Sequence, residues 1–305
     1  MSLPVAMSGV TQAAADWRSD MGVFRIGIAT NYEEPFKQSK FDLFASEISK
    51  ALNMPVEIFQ ARDASALIDA MASSRIEYAI VSALGYATLE EFCACVTPLV
   101  APVSSAGATS VRSILIVNPL VIKTLDDLPG KRIAVGPDTS LSGNLLPTYE
   151  LKLGTKNFSD IGITRIESKN TENAIKQFMA GDVDAFFGWQ ETSATDKLMG
   201  PNILDLKLAQ LPQAAAATLW VSTPIRFGPH VVRSNLPSEA LSALNEALLD
   251  LEQTAPLAYD AISPDFAGGF KSVKKNDYKS AFGLVDAIVE RSARNPRDIF
   301  DLGHQ

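Results

Sequence analysis

The sequence is poor in the residues on which most metal and acid–base chemistry depends: two histidines and two cysteines in 305 residues. Two cysteines cannot build a disulfide framework. Two histidines leave little for a metal set or a His-based acid–base pair. No apolar run approaches the roughly 20 residues that a membrane-spanning helix needs. Positive charge is also short, with Lys+Arg 27 against Asp+Glu 35 and a net charge of −8. A chain of pI about 4.9 is unsuited to nucleic acid or anionic lipid, where affinity comes from neutralised phosphates. No Ser/His/Asp arrangement, Walker loop, dinucleotide fingerprint or HExxH pattern is legible. The sequence therefore predicts no cofactor, no metal and no catalytic residue.

What is present is the composition of a water-soluble folded chain. Apolar residues make up 47% and charged residues 20%, too apolar for disorder to be the main state. At roughly 150 residues per domain, the length favours two domains. Residues 1–15 are small and apolar, carry no charge and end in Ala13-Ala14-Ala15 before Asp16. Small residues before a polar start suit an export-signal cleavage site. The basic opening of such a signal is missing, so the segment reads as the tail of a truncated one.

A β-α rhythm follows. A β-branched run over 23–29 predicts a strand. Phe36, Phe41, Phe44, Ile48 and Leu52 fall on one face of a helix over 36–52. Strands over 56–60 and 78–82 flank a helix over 64–73, and 112–117 is a further strand. A second series begins with a short helix over 125–128 and a strand over 131–135. A turn over 136–143 leads to a helix over 144–153. A strand over 165–167, a helix over 171–180, a strand over 184–187 and a helix around 191–197 come next. The strand over 217–221 reads as a return to the first unit, and helices over 238–253 and 279–292 close the chain. Alternation of this kind implies mainly parallel sheets flanked by helices. The rhythm breaks near 113–118 and 221–226. Two crossings there make 118–221 one lobe and 22–117 with 222–305 the other, hinged by two crossover strands around a cleft.

The most informative motif is Gly136-Pro-Asp-Thr-Ser-Leu-Ser-Gly143, between a strand and a helix. The first N–H groups of a helix lack internal partners, and with the dipole and hydroxyls of Ser140 and Ser142 they suit a tetrahedral oxyanion. The plain alternative is a well-capped helix.

Ser140-Leu-Ser-Gly143 resembles the anion loop of the phosphonate/phosphite-type substrate-binding proteins of bacterial ABC transporters. The similarity runs from about Phe24 to about Ala287. It also covers 63–71, Arg112-Ser113-Ile-Leu-Ile-Val117, 122–132 and Ala180-Gly-Asp-Val-Asp-Ala185. The resemblance implies the two-lobed type II periplasmic-binding-protein fold and a small oxyanion ligand, with ABC permease subunits as partners. It implies a monomer in the periplasm that binds no nucleic acid and is not an enzyme. By the same resemblance Ser140, Ser142 and Gly143 hold phosphonate oxygens and Ser82 lines the opposite wall. Glu191 stands where the family meets a ligand amino group. This sequence departs from the family at Leu141, in place of a threonine, and at Val111, in place of an aromatic. A second acid is replaced by Gly228, with Arg226 and His230 close by.

Other residues carry two readings. Tyr86 and Trp189 suit either a ligand's organic part or the core, and Arg112, next to Ser113, suits either the anion or a hinge salt bridge. Cys93 and Cys95 read as two small buried residues, since a bridge two apart in a strand is strained, and their redox state stays open because export would permit oxidation. His230 reads as a structural hydrogen-bonder. A ligand-sensing module of a regulator, and a receptor for another anion such as a sulfonate, are the competing functions.

Overall fold

The chain builds two sheets in succession, each begun by a run of apolar residues. The computed structural model describes residues 16–29, 38–193, 195, 197, 199 and 216–294. Helix α1 (Trp17–Met21) is capped by Asp16, whose carboxylate accepts from Arg18 N. Strand β1 (Phe24–Ala29) buries Phe24, Ile26 and Ile28. Helix α2 (Asp42–Leu52) buries Phe44, Ile48 and Leu52, the four-residue spacing that sets one face inward. Phe36 lies outside the described residues. Strand β2 (Val56–Ala61), helix α3 (Ala64–Ala72) and strand β3 (Tyr78–Ile80) complete a unit in which β1 runs parallel to both strands. Helix α4 (Ala83–Phe92) and strand β4 (Val96–Pro102) follow.

The second series holds β5 (Ser110–Val117), β6 (Arg132–Val135), a π-helical turn at Leu141–Leu145 and α5 (Leu146–Glu150). A hairpin of β7 (Lys152–Leu153) and β8 (Lys156–Asn157) precedes β9 (Thr164–Glu167), α6 (Thr171–Met179) and β10 (Ala185–Thr192). The chain continues through β11 (Ala217–Val221), β12 (Ile225–Arg226), β13 (His230–Arg233), α7 (Ser238–Thr254), α8 (Pro256–Ile262), β14 (Phe270–Ser272) and α9 (Lys279–Arg294). The first sheet has the order β14-β4-β13-β3-β1-β2, and the second β11-β5-β10-β6-β9, with β12 on the end of β5. No helix of the described residues is long and apolar enough to cross a membrane.

Five expectations are corrected. A boundary at 117 places β5 in the first lobe, yet β5 pairs with β10 along all eight residues and belongs to the second sheet. The chain therefore passes between sheets over 103–109 and back over 227–229. Strand β11 likewise stays in the second sheet, antiparallel to β5. Glu191 and Thr192 begin no helix. They end β10, where the ladder partners Val111 and Ser110 hold them extended. The helix after the serine turn stops at Glu150, and Lys152–Leu153 turns into a hairpin strand. Finally, Cys93 and Cys95 form a disulfide. They sit in the exit turn of α4 rather than in a strand. Ala94 at φ 45° folds the backbone so that the two Cα atoms lie 5.0 Å apart.

Candidate functional site

Ser82 and Ser140 both follow the carboxyl ends of parallel strands, the place where open α/β sheets present ligand sites. Ser82 caps α4, its Oγ accepting from Gly85 N at 2.9 Å. Ser140 caps the π-helical turn, its Oγ accepting from Gly143 N at 3.1 Å. Each hydroxyl keeps its own proton to donate. The turn is wound one residue wider than an α-helix because Leu145 N reaches Ser140 O at 2.9 Å.

The loop closes on itself through its two glycines. Gly136 N donates to Gly143 O at 3.0 Å. A Cβ on Gly143 would meet Ser140 Oγ at 2.8 Å and Gly136 Cα at 3.1 Å, so only glycine allows this approach. Asn144 is 4% exposed and locks the interior. Its amide donates to Gly136 O at 3.2 Å and Asp138 Oδ1 at 2.8 Å, while its carbonyl accepts from Thr148 at 2.9 Å and Arg165 at 3.3 Å. Sequence reading passed over Asn144, which gives no signal beyond its place after the last serine.

Ser113 reaches this loop from β5. It is fully buried, and its Oγ donates to Ser142 O at 2.6 Å. Trp189, half-buried on β10, stands opposite Ser113 in the ladder, and Gln190 stands opposite Arg112. Glu191 lies opposite Val111, and its Oε2 accepts from Ser104 Oγ at 2.7 Å, so the crossing segment holds its carboxylate. Leu141 is partly buried and packs against an apolar cluster that holds Leu84 and Tyr86 from the first lobe with Leu145 and Leu146 from the second. Tyr86 is fully buried, edge-on to Tyr278 with ring centroids 5.1 Å apart. Burial, and then the Glu90 carboxylate, push the Tyr86 phenol well up, so it stays a neutral hydroxyl. The structure thus brings Ser140, Ser142, Gly143 and Ser113 together beside Trp189. Ser82 sits on the first lobe, and Leu141 and Tyr86 in the apolar contact between lobes.

The family model for the periplasmic phosphonate substrate-binding proteins of ABC transporters matches residues 26–278. The chain belongs to that family. No curated protein matches the sequence. Among solved structures, XAC2383 from Xanthomonas citri bound to ATP is similar at 16% identity and TM-score 0.60, over 90% of this chain and 98% of that one. A binding-protein component of an ABC phosphonate transporter from Pseudomonas aeruginosa is similar at 19% identity and TM-score 0.52, over 92% and 95%. PhnD1 from Prochlorococcus marinus in complex with methylphosphonate is similar at 16% identity and TM-score 0.53, over 91% and 99%. These likenesses establish the two-lobed mixed α/β fold of periplasmic binding proteins.

Proposed function

We propose that the protein is the exported, monomeric receptor of an ABC importer, and that it captures a small phosphonate- or phosphite-like oxyanion between its lobes. Ser140 and Ser142 supply hydroxyl donors, and the N–H groups entering the π-helical turn supply backbone donors. Ser82, on the facing lobe, supplies another. One observation carries the reading: a serine loop, closed by two glycines, at the carboxyl end of β6 and pinned from β5 by Ser113. Closure of the lobes excludes water from the anion and strengthens each contact. Release to permease subunits requires no bond making. The net charge of −8 supports a small-molecule ligand rather than nucleic acid.

The test is calorimetric titration of methylphosphonate and phosphite into the protein and its Ser140→Ala/Ser142→Ala variant. Each charge-assisted hydrogen bond lost weakens binding by about 1.5–3 kcal/mol. Unchanged affinity in the double variant would remove the serine loop from the site.

A further inference from the structure

The serine loop carries one residue that works against an anion. Asp138 stands two residues before Ser140, so its Cα lies within about 7 Å of that residue's. The turn keeps it there: Ser140 N donates to Pro137 O at 2.8 Å, with Asp138 and Thr139 at the corner. A carboxylate in such a place repels a second anion and competes with it for the same hydroxyl and N–H donors.

Asn144 holds this carboxylate. Its side-chain amide donates to Asp138 Oδ1 at 2.8 Å and to Gly136 O at 3.2 Å. Its carbonyl accepts from Thr148 Oγ1 on α5 at 2.9 Å and from Arg165 Nη2 on β9 at 3.3 Å. Both donors and both lone pairs of one buried amide are therefore used. A flipped amide would set its oxygen against two acceptors and its NH2 against a guanidinium, so the network fixes the orientation. The Arg165 guanidinium lies beside the Phe158 ring, 5.8 Å from its centroid, which restrains it. A cation, a buried amide and an acid thus stand in one hydrogen-bonded line. The cation polarises the amide, and the amide in turn offers the carboxylate a stronger N–H.

We propose that Asn144 is a positioning residue for the anion seat: it binds Asp138 back into the loop, with the charge of Arg165 behind it. Ser140, Ser142 and the N–H groups entering the turn then stay open to the ligand. The proposal rests on the oxyanion reading of the serine loop. Without the Asn144 amide, the carboxylate is drawn to the donors nearest in sequence, the Ser140 hydroxyl among them, and takes the ligand's place. The loop carries its own competitor, and one amide keeps it out.

The experiment is a double-mutant cycle of Asn144→Ala and Asp138→Asn, with methylphosphonate and phosphite titrated calorimetrically into all four proteins. Asn144→Ala is expected to weaken binding at least about tenfold when Asp138 is present, and less than about threefold when Asp138→Asn accompanies it. A merely structural role gives the same loss in both backgrounds, and that result overturns the proposal. So does the absence of any loss. Arg165→Gln, a change at an exposed residue, keeps the test open should Asn144→Ala fail to fold. It is expected to weaken binding at least about threefold, again only while Asp138 is a carboxylate. An equal loss in the two backgrounds, or none, overturns the link from Arg165 to Asp138. The two readings fail differently. If the wild type binds neither anion, the oxyanion reading falls and the proposal with it. If the wild type binds but the two substitutions are uncoupled, the proposal alone falls.

Discussion

Ser113 and Ser142 join the second sheet to the serine loop: the fully buried Ser113 Oγ donates to the Ser142 carbonyl at 2.6 Å. The same residue also ties in the return connection. Its N–H donates to Ser222 Oγ at 2.9 Å, and its carbonyl accepts from Ser222 N at 2.9 Å. Ser222 Oγ in turn donates to Thr223 O at 2.8 Å, and Thr223 donates through N and Oγ1 to the Glu150 carboxylate at the end of α5. One serine thus fixes the serine loop relative to the returning connection. The loop's donors keep their direction because a carbonyl two residues into it cannot swing.

Ser113→Ala leaves the Ser142 carbonyl without its partner in a part-buried place, which costs about 1–3 kcal/mol. Urea unfolding is expected to show that loss. Methylphosphonate affinity is expected to fall several-fold as well, because the loop's N–H groups lose their fixed aim. A stability loss with affinity unchanged would reduce Ser113 to a structural role.

His230 makes stability depend on pH. Its ring is 1% exposed on β13 and is edge-on to Phe270 at 4.6 Å. Its Nδ1 shares a hydrogen bond with the Tyr78 hydroxyl. Burial lowers its pKa to about 3, whereas an unfolded histidine titrates near about 6.5. Between those values the unfolded chain binds a proton that the folded chain refuses. The stabilisation is complete above about pH 6.5 and is lost as pH falls toward 3, at up to about 1.4 kcal/mol per unit. Urea midpoints at pH 7 and 4.5 are expected to differ more for the wild type than for His230→Gln. Equal differences would show that this imidazole is reached by solvent.

Much of this architecture was legible in the sequence where burial is one-sided. Helix α2 shows its buried face as Phe44, Ile48 and Leu52, and α6 shows Ala174, Ile175 and Phe178. Helix α4 was hidden because it is apolar on several sides, burying Ala83, Leu84, Tyr86, Ala87 and Leu89, so no polar stripe marks its period. The end of β10, Gly188-Trp-Gln-Glu-Thr192, lacks a β-branched run. It is extended only because β5 pairs with it, a long-range cause that no local pattern carries. The disulfide was disfavoured for a related reason: the strand assumed for Cys93 and Cys95 is a helix exit. In the site, the serine loop announced itself by residue type and spacing.

The ligand's charge can be argued from position 228. Gly228 packs so closely on the segment after β3 that a Cβ there would lie 2.2 Å from Val81 O and 2.8 Å from Ser82 Cα. No acidic side chain fits, so the second carboxylate that an aminoalkylphosphonate receptor would place there is sterically barred. Glu191, the remaining acid, spends one oxygen on Ser104 at 2.7 Å. The nearby Arg226 adds positive charge at the same crossing. An ammonium drawn between the lobes would be incompletely paired, and a poorly paired charge out of water costs several kcal/mol even after relaxation. Methylphosphonate and acid-substituted phosphonates are therefore expected to bind at least tenfold more tightly than 2-aminoethylphosphonate, about 1.4 kcal/mol. Side-by-side titrations at neutral pH decide it. Tighter binding of the aminophosphonate would mean that Glu191 leaves Ser104 for the ligand and that its charge outweighs Arg226.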